Sequence, residues 1–378
     1  MEPSYPPGER RSPTPGIPPL ERSPSQPVDS DAFPPKSMQV LAVGLHTPDN
    51  HSMTFILVRK LLRDLRPALI AVCLILFLFA GFWVKITQRV TGEITPFFNT
   101  VARVAKLPPK LFEDVLFKGP GKVSQAVLGG ADLRFEKPMD FLAVGLLHPV
   151  VIILASVWAV GRAGGAIAGE LDRGTMELLM SQPVPRNRLI LAHLIVDAIV
   201  IPTICLAFFA GTQAGILLVG PFEIDYTGVR EALSREAPPA VVANLGIPTE
   251  PERLEISGRS QFPALANLAA LIFSLSGLTI AISACGRSRW KVIGYSVLVG
   301  LIMFIVNVLG QLWDSAAFLR PLSVFYYYQP QKIMLRDEWS TMLAGVPVPA
   351  VGMLLLVGAV GYGFALRVFT KRDLPAPL

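Results

Sequence analysis

Cysteine, histidine and charged residues are all scarce in this chain of 378 residues, which has three cysteines, four histidines and 16% charged residues. The cysteines, Cys73, Cys205 and Cys285, stand in apolar stretches at no ligand spacing, and the histidines are equally scattered. Metal sites and disulfide frameworks need clustered side chains at characteristic spacings. We therefore predict no metal site, no disulfide framework and no catalytic cluster.

A phosphate-binding loop of the Walker A type is also missing. Such a loop requires Gly-x-x-x-x-Gly-Lys followed by Ser or Thr, after a strand. The nearest approach is Gly121-Lys122, but Val123 follows it and Leu116 stands where the first glycine belongs. The chain is therefore not expected to hydrolyse ATP by itself, and no cofactor is expected in it.

Apolar residues are abundant instead, at 52% of the chain with a mean hydropathy of +0.50. A soluble globular chain would not combine these values with so few charges. The apolar residues form six runs, each long enough to cross a bilayer as a helix. These predicted spans are residues 67–84, 141–168, 189–220, 262–285, 292–313 and 349–369. The chain is thus predicted to be an all-α integral membrane protein with six transmembrane helices.

Basic residues favour one side of the predicted membrane. The short loop 286–291 carries three of them and no acid, and both the approach to the first span and the exit from the last are basic. Short loops rich in Lys and Arg normally lie in the cytoplasm. We therefore place both termini and the loop 169–188 in the cytoplasm, with the loops 87–140 and 221–261 outside.

The first 50 residues differ from the rest of the chain. Residues 1–37 are dominated by Pro, Ser, Gly and charged residues without apolar periodicity, so residues 1–50 are predicted to be a disordered cytoplasmic tail. From residue 53 to 66 apolar and basic residues occupy separate helix faces. This pattern fits an amphipathic elbow helix on the membrane surface or an extension of the first span. Both alternatives stay open.

The stretch 169–192, GELDRGTMELLMSQPVPRNRLILA, interrupts the apolar sequence between the second and third spans. Asp172 and Thr175 are residue types that begin helices, and Pro183 ends one. We therefore predict a helix of about two turns, from residue 175 to 181, with Met176, Leu179 and Met180 as apolar side chains available to a partner. A tight turn with ordinary capping is the plainer interpretation.

Three motifs in this chain resemble those of ABC-2 type transporter permeases. The first is the cytoplasmic pattern Glu170, Arg173-Gly174-Thr175, Glu177-Leu178-Leu179 and Pro183-Val184-Pro185-Arg186. The others are an aromatic-Tyr-x-Pro segment within residues 323–330 and a Phe-x-x-Arg-Asp-Leu ending within 367–374. The likeness covers residues 53–376 and is greatest to permeases linked to multicopper enzyme maturation, although this chain lacks Cys, His or Met ligand clusters.

The resemblance implies an ABC-2 exporter-type topology and a cytoplasmic ATPase that contacts the loop between the second and third spans. The expected coupling residues are Glu170, Arg173, Gly174, Thr175, Met176, Glu177, Leu179, Met180, Pro183 and Arg186. It also implies a second permease subunit, in a homodimer or heterodimer, and a bacterial plasma membrane as the location. Nucleic acid is not an expected partner.

Two features inside the spans need a separate interpretation. Gly161, Gly165 and Gly169 form two successive Gly-x-x-x-Gly steps, which allow close helix packing within the chain or against a second subunit. Asp197 is an acid in an apolar run and needs a partner, for which His193, one turn earlier, is a candidate. Asp197 and His193 are therefore candidates for a transport path, or Asp197 is simply solvated from the cytoplasm.

These features predict the membrane subunit of an ABC-2 type transporter, acting as an exporter. An ion-coupled secondary transporter is the rival, and it would need several intramembrane charges and paired broken helices. A membrane anchor that uses ATPase docking without transport is a third alternative.

Overall fold

The computed structural model describes residues 50–105, 137–181, 185–256 and 258–372, with the backbone alone described at 50–53, 177, 179 and 241. Residues 1–49 of the predicted tail and Pro183 of the predicted coupling residues lie outside these ranges. In chain order the α-helices are α1 (Asn50–Arg89), α2 (Thr95–Val104), α3 (Pro138–Leu147), α4 (Pro149–Gly164), α5 (Ala168–Asp172), α6 (Thr175–Met180), α7 (Arg186–Val219), α8 (Thr227–Glu236), α9 (Pro239–Asn244), α10 (Phe262–Cys285), α11 (Arg289–Leu312), α12 (Pro330–Arg336) and α13 (Ala350–Lys371).

The described residues contain six helices that are long and apolar enough to cross a membrane. They are Thr54–Val104, Pro138–Gly164, Arg186–Val219, Gly258–Cys285, Arg289–Leu312 and Ala350–Lys371. The predicted fold class, an all-α membrane protein with six spans, is confirmed. Two short antiparallel sheets of two strands lie between spans. One is formed by β1 (Phe222–Ile224) with β2 (Glu252–Leu254), and the other is the hairpin of β3 (Ser340–Leu343) with β4 (Val346–Pro349).

The amphipathic segment before the first span belongs to one continuous helix. α1 runs from Asn50 to Arg89 with Pro67 inside it, and a short π-helix, Val90–Ile94, leads on to α2. The segment is thus an extension of the first span, which was one of the two alternatives, and a separate elbow helix is not formed. The helix continues through Pro67 even though proline lacks a backbone N–H.

The second span is not one helix from residue 141 to 168, as its composition suggested. It is broken at His148, where Pro149 cannot donate a backbone hydrogen bond and begins α4 instead. The His148 side chain accepts a hydrogen bond from the Val150 N–H at 3.3 Å and so caps the new helix. α4 then ends at Gly164, short of the predicted boundary.

Glycines bring two pairs of spans into backbone contact. The first and third spans meet at Gly211, where an added Cβ would lie 2.2 Å from the Phe77 carbonyl oxygen. The fourth and sixth spans meet at Gly277, whose added Cβ would lie 2.3 Å from the Gly358 carbonyl oxygen. Without a strong hydrophobic force between helices in lipid, such close backbone packing is a main source of association. The first span therefore packs closely on the third, and the fourth packs closely on the sixth.

Gly277→Leu is expected to destabilise the protein, because the new side chain would collide with the backbone of α13. Overpacking of this kind costs about 1–3 kcal/mol or more. The measurement is the thermal unfolding midpoint of the purified protein in detergent. Gly363→Leu is the matched control, since an added Cβ there meets nothing within 4 Å. Equal midpoints for the two variants would show that the fourth and sixth spans do not pack as described.

The aromatic motif before the sixth span is packed inside the protein. Tyr327 and Tyr328 are both buried, and their hydroxyls donate to the carbonyl oxygens of Pro321 at 3.0 Å and Leu146 at 2.6 Å. Asn267 of α10 donates to the Tyr327 carbonyl oxygen at 3.1 Å. Burial raises the pKa of Tyr328 above its ordinary value. The motif therefore fixes the segment between the fifth and sixth spans against the second and fourth spans.

Candidate functional site

The loop between the second and third spans is organised around the carboxylate of Glu170. This carboxylate accepts hydrogen bonds from the side chains of Arg173 and Thr175, the latter at 2.5 Å. Gly174 lies between the two donors with φ of +68°, a conformation that costs glycine little and other residues more. Glu170 and the Arg-Gly-Thr sequence thus build the turn that joins α5 to α6.

The helix predicted from residue 175 to 181 is present as α6, Thr175–Met180. Its Met176 side chain is only 2% exposed and packs in a cluster that includes Leu189, Ile280 and Phe369 from the third, fourth and sixth spans. Met180 is half-buried and packs against the same cluster. Burying a methionine side chain contributes about 1.5–3 kcal/mol. The prediction that these two methionines are available to a partner is therefore wrong, because they hold α6 against the spans.

Among the described side chains of α6, Leu178 is apolar and exposed, at 71% of its accessible surface. It belongs to the Glu-Leu-Leu motif but was not among the expected coupling residues. The sequence spacing could have indicated its exposure. Met176 and Met180 are four residues apart and share one helix face, while Leu178 lies on the opposite face. Only the backbone of Glu177 and Leu179 is described, so the structure does not place their side chains.

Basic residues tie the ends of the spans together on the side of this loop. Arg186 donates to the Arg372 carbonyl oxygen at 2.5 Å, and Arg372 donates to the carbonyl oxygens of Ala284 at 2.8 Å and Gly286 at 2.9 Å. The third, fourth and sixth spans are thereby connected. Arg186, expected as a coupling residue, makes a contact inside the chain.

The three glycines predicted at the end of the second span do not form a helix-packing stripe in this chain, because Gly161 lies in α4 whereas Gly165 and Gly169 follow its end. An added Cβ at Gly161 would meet nothing within 4 Å. At Gly165 it would lie 3.4 Å from Nε of Arg289, and at Gly169 it would lie 3.6 Å from Cδ of the same residue. The two later glycines therefore make room for the Arg289 side chain at the start of the fifth span.

The break between α4 and α5 is stabilised by the hydroxyl of Ser283 on the fourth span. This oxygen accepts hydrogen bonds from the backbone N–H groups of Ile167 at 3.2 Å and Ala168 at 3.1 Å. It also donates to the Gly164 carbonyl oxygen at 3.1 Å. Backbone groups freed by the break are thus satisfied by a side chain, as helices inside a membrane require.

Asp197 is fully buried in α7, and its partner is Arg162 of α4, whose Nη2 atom lies 2.5 Å from Oδ2 of Asp197. The Tyr362 hydroxyl of α13 also donates to this carboxylate. His193, the expected partner, instead contacts Arg162, which donates to the His193 backbone carbonyl oxygen at 3.3 Å and lies 3.4 Å from the ring Nδ1. An arginine inside an apolar run was the signal in the sequence for this pair, since an intramembrane charge needs a partner.

A comparison with protein-family models matches residues 57–374 to the ABC-2 family transporter protein model. The chain belongs to the ABC-2 transporter family. The match includes all of the 170–186 segment, which comprises the Glu170 turn, α6 and the start of α7, and it does not single out a subgroup of the family. Searches of curated proteins and of solved structures gave no match.

An ABC-2 chain is the membrane-spanning permease subunit of an ABC transporter, and the family is normally not enzymatic by itself. Across the residues described for this permease, no group of three or more His, Cys, Asp or Glu is arranged to hold a metal ion. The described groups of this site bind helix ends to one another and leave the Leu178 side chain exposed.

Proposed function

We propose that this permease is an exporter subunit driven by a separate ATPase that docks on the 170–186 segment. The observation that carries the proposal is the two-sided character of α6. Met176 is buried in a cluster with residues of the third, fourth and sixth spans, while Leu178 is 71% exposed on the opposite face. A helix held on one side and apolar on the other is suited to receive a force from a partner and pass it to the spans.

The rest of the assembly follows from the same proposal. The permease pairs with a second permease subunit in a bacterial plasma membrane, with both termini and the 170–186 segment in the cytoplasm. An ion-coupled carrier receives less support, because the buried charge of Asp197 is already paired with Arg162 of the same chain. The subgroup linked to multicopper enzyme maturation receives no support from metal ligands, since within the described ranges no group of three or more His, Cys, Asp or Glu is arranged to hold a metal ion.

Purification in mild detergent is expected to recover the permease together with an ATPase that contains a phosphate-binding loop. The reason is that the permease has no such loop of its own and exposes an apolar contact on α6. The measurement is mass spectrometry of the purified particle and its ATP hydrolysis rate. A transport-active particle that contains this chain alone would contradict the proposed function.

Cysteines placed at the two ends of the sixth span are expected to report its orientation. Thr370→Cys should be protected from a membrane-impermeant maleimide in intact cells, and Ser340→Cys should be labelled, because we place the end of α13 in the cytoplasm. Both positions are exposed. A Cys285→Ser background is needed, since Cys285 is an exposed native cysteine. The opposite labelling pattern would invert the proposed topology.

A further inference from the structure

Three membrane-spanning helices meet at the side chain of Arg162, near the end of α4. Nη2 of Arg162 lies 2.5 Å from Oδ2 of Asp197 on α7 and donates to the Tyr362 hydroxyl of α13 at 2.9 Å. Tyr362 donates in turn to Asp197, and both Nη atoms of Arg162 donate to the His193 carbonyl oxygen at 3.3 Å. One guanidinium group therefore connects the second, third and sixth spans.

A contribution to stability does not by itself explain why the ion pair of Arg162 and Asp197 is buried between these helices. The side chains of Arg162 and Asp197 are 3% and 0% exposed, and among the described residues Arg162 Nε and Asp197 Oδ1 have no hydrogen-bond partner. The cost of removing two charges from water offsets much of their attraction, and apolar residues of similar volume often serve stability equally well. The directional bonds of a charge network can, however, fix one relative position of the helices, which apolar contacts do less strictly.

The network lies directly beside the 170–186 segment. Arg162 precedes the end of α4 at Gly164 by two residues, and Ser283 holds the break that follows. Tyr362 also belongs to the packed cluster that contains Met176 of α6. The chain therefore contacts α13 on both sides of the break between α4 and α5. Arg162 makes the contact before the break, and Met176 makes it after the break.

We propose that Arg162 is a positioning residue that transmits displacement of the 170–186 segment to the third and sixth spans. The inference rests on the proposed function, because it requires an ATPase to move this segment. When the end of α4 moves, the ion pair and the hydrogen bonds of Arg162 carry α7 and α13 with it. An apolar pair in the same place would let the helices slide past one another.

The test uses the permease in complex with its ATPase, in lipid nanodiscs and a Cys285→Ser background. Spin labels at Thr370→Cys on α13 and Lys291→Cys on α11 report the distance between the ends of these helices, with and without ATP and vanadate. The fifth span provides the reference because none of its residues contacts Arg162 in the described hydrogen bonds and ion pairs. The informative variant carries Arg162→Met and Asp197→Leu together.

The double variant is expected to bind the ATPase and to unfold at a temperature close to that of the parent, but to lose the nucleotide-dependent change in distance. Ser274→Ala is the matched control, because Ser274 is a buried polar residue of the same core whose hydroxyl bonds only locally to Leu271. This control should show the same nucleotide-dependent change in distance as the parent. If the double variant shows the same change in distance as the parent, the proposed role of Arg162 is overturned and the proposed function stays intact.

A parent complex without any nucleotide-dependent change would overturn the proposed function and, with it, this inference. Should the double variant fail to fold, Tyr362→Phe serves instead, since it removes one hydroxyl and keeps the stacking on Phe273. We expect it to reduce the change in distance. An unchanged response in Tyr362→Phe would then count against the network as a transmitting element.

Discussion

Leu178→Glu is expected to abolish binding of the ATPase while the permease still folds and inserts into the membrane. Leu178 is 71% exposed, so the substitution removes no internal packing. At the centre of a protein interface, loss of an apolar anchor costs about 2–4 kcal/mol, which is about a 30-fold or greater increase in the dissociation constant. The measurement is co-purification of the two subunits from membranes that contain equal amounts of parent and variant permease.

Ser181→Glu is the matched control for this variant, because it introduces the same charge three residues later at another exposed position. Its effect on ATPase binding should be small, since no apolar contact is lost. Met176→Glu should behave differently from both variants, because Met176 is buried and a charge there would reduce the amount of folded permease. If Leu178→Glu binds the ATPase as well as the parent does, α6 is only part of a turn.

Asp197→Ala is expected to destabilise the permease strongly, because it leaves the Arg162 cation buried without its ion-pair partner. Breaking a buried ion pair by removal of one partner costs about 3–5 kcal/mol. The measurement is the amount of monodisperse permease after detergent extraction, together with its thermal unfolding midpoint. Both values should fall well below those of the parent.

The double substitution Arg162→Met with Asp197→Leu separates the loss of a partner from the loss of the charges. It replaces the pair by apolar side chains and should restore most of the stability that Asp197→Ala loses. His193→Ala is a further comparison, because it removes the ring Nδ1 that lies 3.4 Å from Arg162 but keeps the backbone carbonyl oxygen and the ion pair. It should therefore destabilise the permease less than Asp197→Ala does. Equal stability of Asp197→Ala and the parent would show that Asp197 is solvated and not paired.

The sequence by itself determined the class of the protein and the number of its spans. Six apolar runs of sufficient length leave few alternatives, because a backbone in lipid must satisfy its own hydrogen bonds and does so as a helix. The 170–186 motif could also be placed between the second and third spans, since its charged and Pro-rich residues interrupt an apolar sequence. These properties depend on residues that are near one another in the chain.

The tertiary structure decided the properties that depend on residues far apart in the chain. Met176 could be recognised as an anchor and Leu178 as the exposed residue only when the ends of the other spans were in place. In the same way, Asp197 had a candidate partner one helical turn away in His193, but its actual partner, Arg162, is brought from another span by packing. Local spacing predicts neighbours along a helix, whereas a buried charge is paired with whichever opposite charge the packing of the helices brings into contact.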